Sequence, residues 1–330
     1  MKRWGLLLVG VALLAGLTGG AAFWWLQRPL ALAAETVELS IEPGTSPRDI
    51  AQAWVDAGVQ TSPLLLYEWF RWSGQARRIR AGSYEIDRNT SPQRLLLKMV
   101  QGDETLAATR LIEGWTFRQF RAELARAEGL KQSTAEMPDD ALMAALGAPG
   151  IAPEGRFYPD TYTYSKGSSD IAVLRRAYRA MQRRLSDAWA SRAPDTPLRS
   201  ADEALILASI VEKETGQAAD RPKVAGVFTN RLRMGMALQT DPAVIYGLGE
   251  RFDGKLRKRD LLADTPYNTY TRNGLPPTPI AMPGKASLEA AVLPEPTKAL
   301  YFVARGDGSS EFSDSLAAHN RAVNQYQRGK

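Results

Sequence analysis

The amino-acid sequence predicts an α+β chain: an N-terminal transmembrane helix, a small α+β unit, and a larger mixed α/β domain with a helix-borne glutamate. Three observations predict it. An uncharged run extends from Trp4 to Leu26. Short alternating strands and Ser-Pro-led helices fill residues 29–104. From residue 105 onward, helical periodicity alternates with loops rich in Pro, Gly, Asn and Tyr.

The run from Trp4 to Leu26 exceeds the ~20 apolar residues that span a bilayer core. Lys2 and Arg3 precede it, and Phe23, Trp24, Trp25, Gln27 and Arg28 form an interfacial close. The positive-inside rule places Met1 in the cytoplasm and the rest of the chain outside it. A cleavable signal peptide is the alternative, because Ala31-Leu32-Ala33 has the A-x-A pattern. The apolar run is longer than a signal h-region, and Arg28-Pro29 interrupts the approach to that site, which favours an uncleaved anchor. The expected division is therefore 1–28 anchor, 29–104 small unit and 105–330 large domain.

In the small unit, Val37 to Ile41 alternates as a strand, and Ser46-Pro47 opens a helix running to Asp56. Leu64 to Ser73 is a second helix, Ala81 to Ile86 a Gly-led strand, and Ser91-Pro92 starts a helix ending near Gly102. In the large domain, Ala107 to Leu111 is a strand and Phe117 to Ala127 a helix, with a short helix inside residues 131–150. An aromatic loop at 154–162 precedes a long helix from Asp170 to Ala190. Ser200 and Glu203 have the spacing of a capping box. Helices over 201–214 and 220–233, a loop-rich stretch from Leu238 to Lys298, a strand over 300–304 and a helix from Leu316 to Gln327 complete the chain.

Composition excludes several chemistries. The chain has 330 residues, no cysteine and one histidine, so disulfides, thiolate sites and multi-histidine metal centres are impossible. Neither a metal nor a cofactor is expected. The net charge of +6 is scattered, with no basic stripe and no nucleic-acid motif, so nucleic acid is not an expected partner. Acid–base work falls mainly to carboxylates and tyrosines. His319, in the terminal helix, is expected to make a structural hydrogen bond.

Residues 205–215 (LILASIVEKET) set a carboxylate among apolar neighbours. At 100° per residue, Ile206, Leu207, Ile210 and Val211 share a side that includes Glu214, with Glu212 roughly opposite. A carboxylate in apolar surroundings keeps its proton toward neutral pH, as a general acid requires. Glu214 is the candidate acid and Glu212 the alternative.

Four passages resemble the YceG-like family of membrane-anchored endolytic murein transglycosylases, the MltG type. They are residues 154–162 (EGRFYPDTY), 208–215 (ASIVEKET) and 238–247 (LQTDPAVIYG), and 266–270 (PYNTY) continuing into 274–277 (GLPP) and Pro283-Gly284. The resemblance covers essentially the whole chain. It implies a LysM-like subdomain at 29–104 and a catalytic domain at 105–330. It implies cleavage of MurNAc-β-1,4-GlcNAc bonds within peptidoglycan glycan strands, leaving 1,6-anhydroMurNAc ends and terminating nascent strands. It further implies an inner-membrane, single-pass protein with a periplasmic catalytic domain and with peptidoglycan synthases as partners. The family's glutamate matches Glu214, and Gln239, Asp241, Tyr267 and Asn268 lie in matching loops as candidate substrate-binding residues. Arg156, Tyr158 and Asp160 are candidate cleft residues, with Phe157 and Tyr162 as packing. Met282 and Thr278 depart from the pattern. The competing readings are a non-catalytic glycan-binding scaffold and a hydrolytic muramidase.

Overall fold

The computed structural model describes residues 16–328, and the chain divides into two compact units. Residues 4–15 of the expected transmembrane run lie outside the described part. Residues 16–27 are helical, with Leu17, Phe23 and Trp24 exposed. Among the described residues, no helix is long and apolar enough to cross a membrane.

Among the described residues, unit 1 comprises 16–108, 128–131 and 163–168. Strand β1 (Thr36–Ile41) pairs antiparallel with β2 (Gly82–Asp87), placing Leu39 opposite Tyr84. Helices α1 (Pro47–Asp56), α2 (Pro63–Trp72) and α3 (Pro92–Gln101) accompany this ribbon. Each starts on Pro, where a missing N–H costs nothing. Ser46 and Ser91 cap α1 and α3 by accepting backbone N–H groups. Gly102, at φ 72°, stops α3 in the left-handed region. Trp54, Leu66, Phe70, Tyr84, Leu95 and Met99 are fully buried between these elements. Leu30 is buried in the same core, and its N–H donates to the Thr90 carbonyl.

Strands β3 (Leu106–Arg110) and β4 (Thr161–Ser165) pair as a second ribbon, and the division between the units falls within both strands. Residues 161–165 extend the expected aromatic loop into a strand, because Tyr162 and Tyr164 alternate inward while Thr161 and Thr163 face out.

Unit 2 is built around α7 (Ala201–Glu214). Helices α4 (Phe117–Arg126), α5 (Asp139–Ala145), α6 (Asp170–Ala190), α8 (Arg221–Arg233), α9 (Asp241–Leu248), α10 (Lys258–Leu262) and α11 (Lys285–Val292) belong to the same unit. Strands β5 (Tyr301–Ala304) and β6 (Ser310–Ser313) form an antiparallel hairpin, and α12 (Leu316–Val323) ends in a π turn over Asn324–Arg328. Helices α6, α8, α9 and α11 all pack on α7. Gly226 of α8 permits close approach: a Cβ there meets the Glu295 carbonyl oxygen at 2.6 Å.

The expected loop region 238–298 contains α9, α10 and α11. Pro242 and Gly247 obscure the short helix α9, and Gly284 directly precedes α11. Met282 is fully buried, and backbone bonds tie it to Gly114 and Trp115. Thr278 bonds the Tyr267 hydroxyl at 2.8 Å. Both departures from the family pattern therefore have packing or hydrogen-bonding roles.

Candidate active site

Helix α7 delivers Glu214. Ser200 caps it by accepting the Glu203 N–H at 3.2 Å. The expected reciprocal bond differs, since the Glu203 carboxylate accepts from the Arg199 N–H at 2.6 Å rather than from Ser200. The helix then passes through the core with Leu205, Leu207, Ala208, Ile210 and Val211 fully buried. Burial therefore extends around most of its circumference, a correction to the single apolar side expected from periodicity. Glu214 is the last helical residue, because Thr215 turns extended and its hydroxyl accepts the Gln217 N–H at 3.0 Å.

A carboxylate at a helix C-terminus meets unpaired carbonyls, the unfavourable end of the helix dipole. Here its support comes from Thr240, which donates its hydroxyl to Glu214 Oε1 at 2.5 Å. Thr240 is fully buried and clamped to Thr269. Its N–H donates to Thr269 Oγ1 at 3.0 Å, and the Gln239 N–H donates to the Thr269 carbonyl at 2.9 Å. Gln239 has φ 53°, the left-handed region that non-glycine residues rarely enter. Arg231 braces this turn by donating from Nη1 to the carbonyls of Ala237 and Leu238, at 3.2 and 2.9 Å, and to Gln239 Oε1 at 3.3 Å.

Burial pushes the Glu214 carboxyl up to about 7. The Thr240 hydrogen bond opposes that rise, nearby Asp241 adds to it, and Arg231 opposes it. Asp241 itself accepts the Tyr270 hydroxyl at 2.5 Å. A cavity of about 660 Å³ opens at this point, lined by Glu214, Arg231, Gln239, Asp241, Tyr270 and His319 among others. A glutamate that exchanges its proton near neutral pH, beside a cavity lined with polar groups, can protonate a leaving oxygen and later take a proton back.

The structure thus brings Gln239 and Asp241 together with Glu214. Tyr267 and Asn268, expected as substrate-binding residues, are not among the residues lining this cavity. Asn268 is fully buried and donates its amide to the carbonyls of Asp260, Leu261 and Ala263. Tyr267 packs edge-on against Tyr246 and bonds Thr278. Glu212 also lies outside the cavity. Its carboxylate accepts the Gly284 N–H at 2.9 Å and faces Arg221 at 3.5 Å. In the 154–162 passage, Phe157 is buried and stacks on Phe117, and Tyr162 donates to the Tyr158 carbonyl. Arg156 pairs with Asp202, and Tyr158 lies under Arg184.

Two features escape local sequence reading. His319 lines the cavity and stacks on Tyr301 at 5.2 Å, with Nδ1 buried and without a hydrogen-bond partner among the described residues. That corrects the expected structural bond, and no local signal near residue 319 points to residue 214. Glu154 is buried and accepts the Phe117 N–H and the Tyr246 hydroxyl, and burial pushes its carboxyl up to about 7. The EGRFYP motif marks that residue without revealing its role.

Comparison with known proteins agrees in extent with this layout. The model of the YceG-like family matches residues 39–325. A Bacillus subtilis protein named endolytic murein transglycosylase is 31% identical over 308 residues, covering 88% of this chain and 85% of that protein. A Streptococcus pneumoniae protein of the same name is 24% identical over 327 residues, and the match spans 59% of its length. The crystal structure of a putative YceG-like protein from Listeria monocytogenes superposes with a TM-score of 0.56 at 31% identity, covering 88% of this chain and 99% of that one. The family model takes in most of the ribbon of unit 1 and the Glu214 site of unit 2, and the Bacillus match extends over most of both proteins; the chain belongs to the YceG-like family.

Proposed function

We propose that this protein is an endolytic peptidoglycan lytic transglycosylase, cleaving MurNAc-β-1,4-GlcNAc bonds within glycan strands and leaving 1,6-anhydroMurNAc ends. The observation that carries this reading is Glu214, a partly buried carboxyl raised to about 7 at the wall of the cavity. The name borne by the Bacillus and Streptococcus relatives supports it. Glu214 protonates the glycosidic oxygen as the bond breaks. The resulting carboxylate accepts the proton of the muramyl 6-hydroxyl as that oxygen attacks the anomeric carbon. Both proton transfers use one side chain, so the water-activating base of a hydrolase is not required. Thr240 supports the carboxylate, and Gln239, on the same cavity wall, is the contact we assign to polar groups of the sugar.

Asp241 favours a second reading. It lines the same cavity as Glu214 and raises its carboxyl, so two acids are present, as a hydrolytic muramidase requires. Mass spectrometry of strands digested by the full chain separates the readings, because anhydro ends weigh one water less than reducing ends. Glu214→Gln must abolish both products, and an unchanged product profile in that variant overturns the enzymatic reading in favour of a glycan-binding scaffold.

By the same reading, the run from Trp4 to Leu26 lies in the inner membrane, with the N-terminus cytoplasmic and the catalytic domain periplasmic. Unit 1 serves as a LysM-like glycan-binding subdomain, and newly made strands delivered by peptidoglycan synthases are the substrate. The exposed Leu17, Phe23 and Trp24 support the anchor. Cutting in cells that is unaltered after removal of residues 1–28 counts against it.

A further inference from the structure

The wall of the Glu214 cavity contains a buried cation whose charge no carboxylate pairs. Arg231 is 7% exposed. Its Nε donates to the Leu300 carbonyl at 2.7 Å, and its Nη1 serves two backbone carbonyls and the Gln239 amide oxygen. Among the described residues, none accepts from Nη2 and none forms an ion pair with this guanidinium. Glu214 is within electrostatic reach but does not pair with it. Tyr301 covers the guanidinium at 5.1 Å, and His319 stacks on the other part of that column at 5.2 Å. Arg231, Tyr301 and His319 all line the cavity.

A buried charge served only by neutral oxygens is costly, and a guanidinium whose Nη2 has no acceptor among the described residues can still meet a carboxylate end-on through a charge-assisted bond. Burial and the neighbouring Arg231 push the His319 imidazole down, disfavouring a second positive charge beside the guanidinium. Asp241, the other acid on the wall, accepts the Tyr270 hydroxyl instead of pairing with Arg231.

We infer that Arg231, braced by Tyr301 and His319, forms a carboxylate-reading subsite that recognises the acidic group carried by a muramic acid residue. This rests on the murein reading above. The carboxylate has two sources in such a strand: the free lactyl group of a peptide-free muramic acid, or the acidic groups of an attached peptide. Chitin-type strands carry neither and do not satisfy the subsite.

The test measures equilibrium binding to the full chain carrying Glu214→Gln, in detergent micelles. The probes are peptide-free glycan strands, the same strands with lactyl carboxyls converted to methylamides, and peptide-bearing strands. The methylamide strands bind about tenfold or more weakly than the free acids if the lactyl group is the ligand, the scale of a lost charge-assisted bond. If the peptide supplies the ligand, the peptide-bearing strands bind tightest, and methylamidation of their carboxyls removes the gain. Arg231→Lys risks disturbing the Ala237–Leu238 turn, so His319→Ala in the otherwise wild-type chain is the second variant. It raises KM several-fold for carboxylate-bearing strands and leaves KM for methylamide strands unchanged, a split that general loss of folding does not produce. Equal affinity for acid and methylamide forms of both strand types overturns the inference. Persistent cutting by Glu214→Gln overturns the catalytic reading instead, and the affinity ratio is still read independently.

Discussion

Replacing Glu214 by glutamine is expected to stabilise the protein at alkaline pH, and the size of the effect follows from the site. The carboxyl ionises near 4.5 in an unfolded chain and near 7 in the folded one. Between those values the folded state holds a proton that the unfolded state has released, so stability falls as pH rises. Below pH 4.5 there is no difference, and above pH 7 the folded chain bears the full cost of a buried carboxylate. At about 1.4 kcal/mol for each pH unit, that cost is roughly 3 kcal/mol. Glutamine keeps the oxygen that accepts from Thr240 and has no charge to bury. The variant therefore gains about 3 kcal/mol relative to wild type between pH 4.5 and pH 8, a rise of roughly 6–10 °C in the melting temperature of a unit this size. The assay is paired thermal unfolding of wild type and variant across that range. Glu154, which also ionises near 7, is present in both proteins and cancels in the difference. A difference between the two proteins that stays flat across this range refutes the reasoning, because it means that the Glu214 carboxyl titrates alike in the folded and unfolded chains.

Three further outcomes are expected. Thr240→Val removes a donor to the ionised Glu214, so its carboxyl rises by about one to two pH units, and the alkaline limb of the kcat/KM profile moves up with it; an unmoved limb rejects the role given to Thr240. Gly226→Ala drives a methyl into the Glu295 carbonyl and costs about 1–3 kcal/mol in urea unfolding, whereas a neutral result shows that α8 shifts freely away from residue 295. Asn268→Ala leaves three carbonyls without their donor, lowering stability by about 1–3 kcal/mol while KM for glycan strands stays unchanged; a raised KM at preserved stability returns Asn268 to the substrate.

Much of this layout is legible in the residues because local signals agree with tertiary demands. Ser-Pro pairs at 46–47 and 91–92 mark helix starts that are capped as expected. Glu214 stands out because it falls on the same helical side as Ile210 and Val211, although a carboxylate at the end of an apolar stripe can also reach out to solvent. What the pattern obscures is the circumference of α7. Small Ala208 and Ser209 fill the side that periodicity assigns to solvent, and Ser209 there accepts the Ile280 N–H. Helices α9 to α11 are hidden because Pro and Gly in short segments read as turns, although tertiary contacts hold them helical. Arg231 and His319 are illegible for a different reason: each is an ordinary residue on its own helix, and only the β5–β6 hairpin and its flanks bring them beside Glu214.

The acid and its hydroxyl partner belong to separate segments. One closes a helix, while the other sits in a left-handed bend that Thr269 and Arg231 hold shut. Activity is thus exposed to damage from several directions, since a change that merely lets the bend relax withdraws the hydroxyl without touching the acid. A saturation screen for lost cutting should accordingly return a halo of positions far wider than the handful of groups that meet the sugar, centred on the bend rather than on the cavity floor.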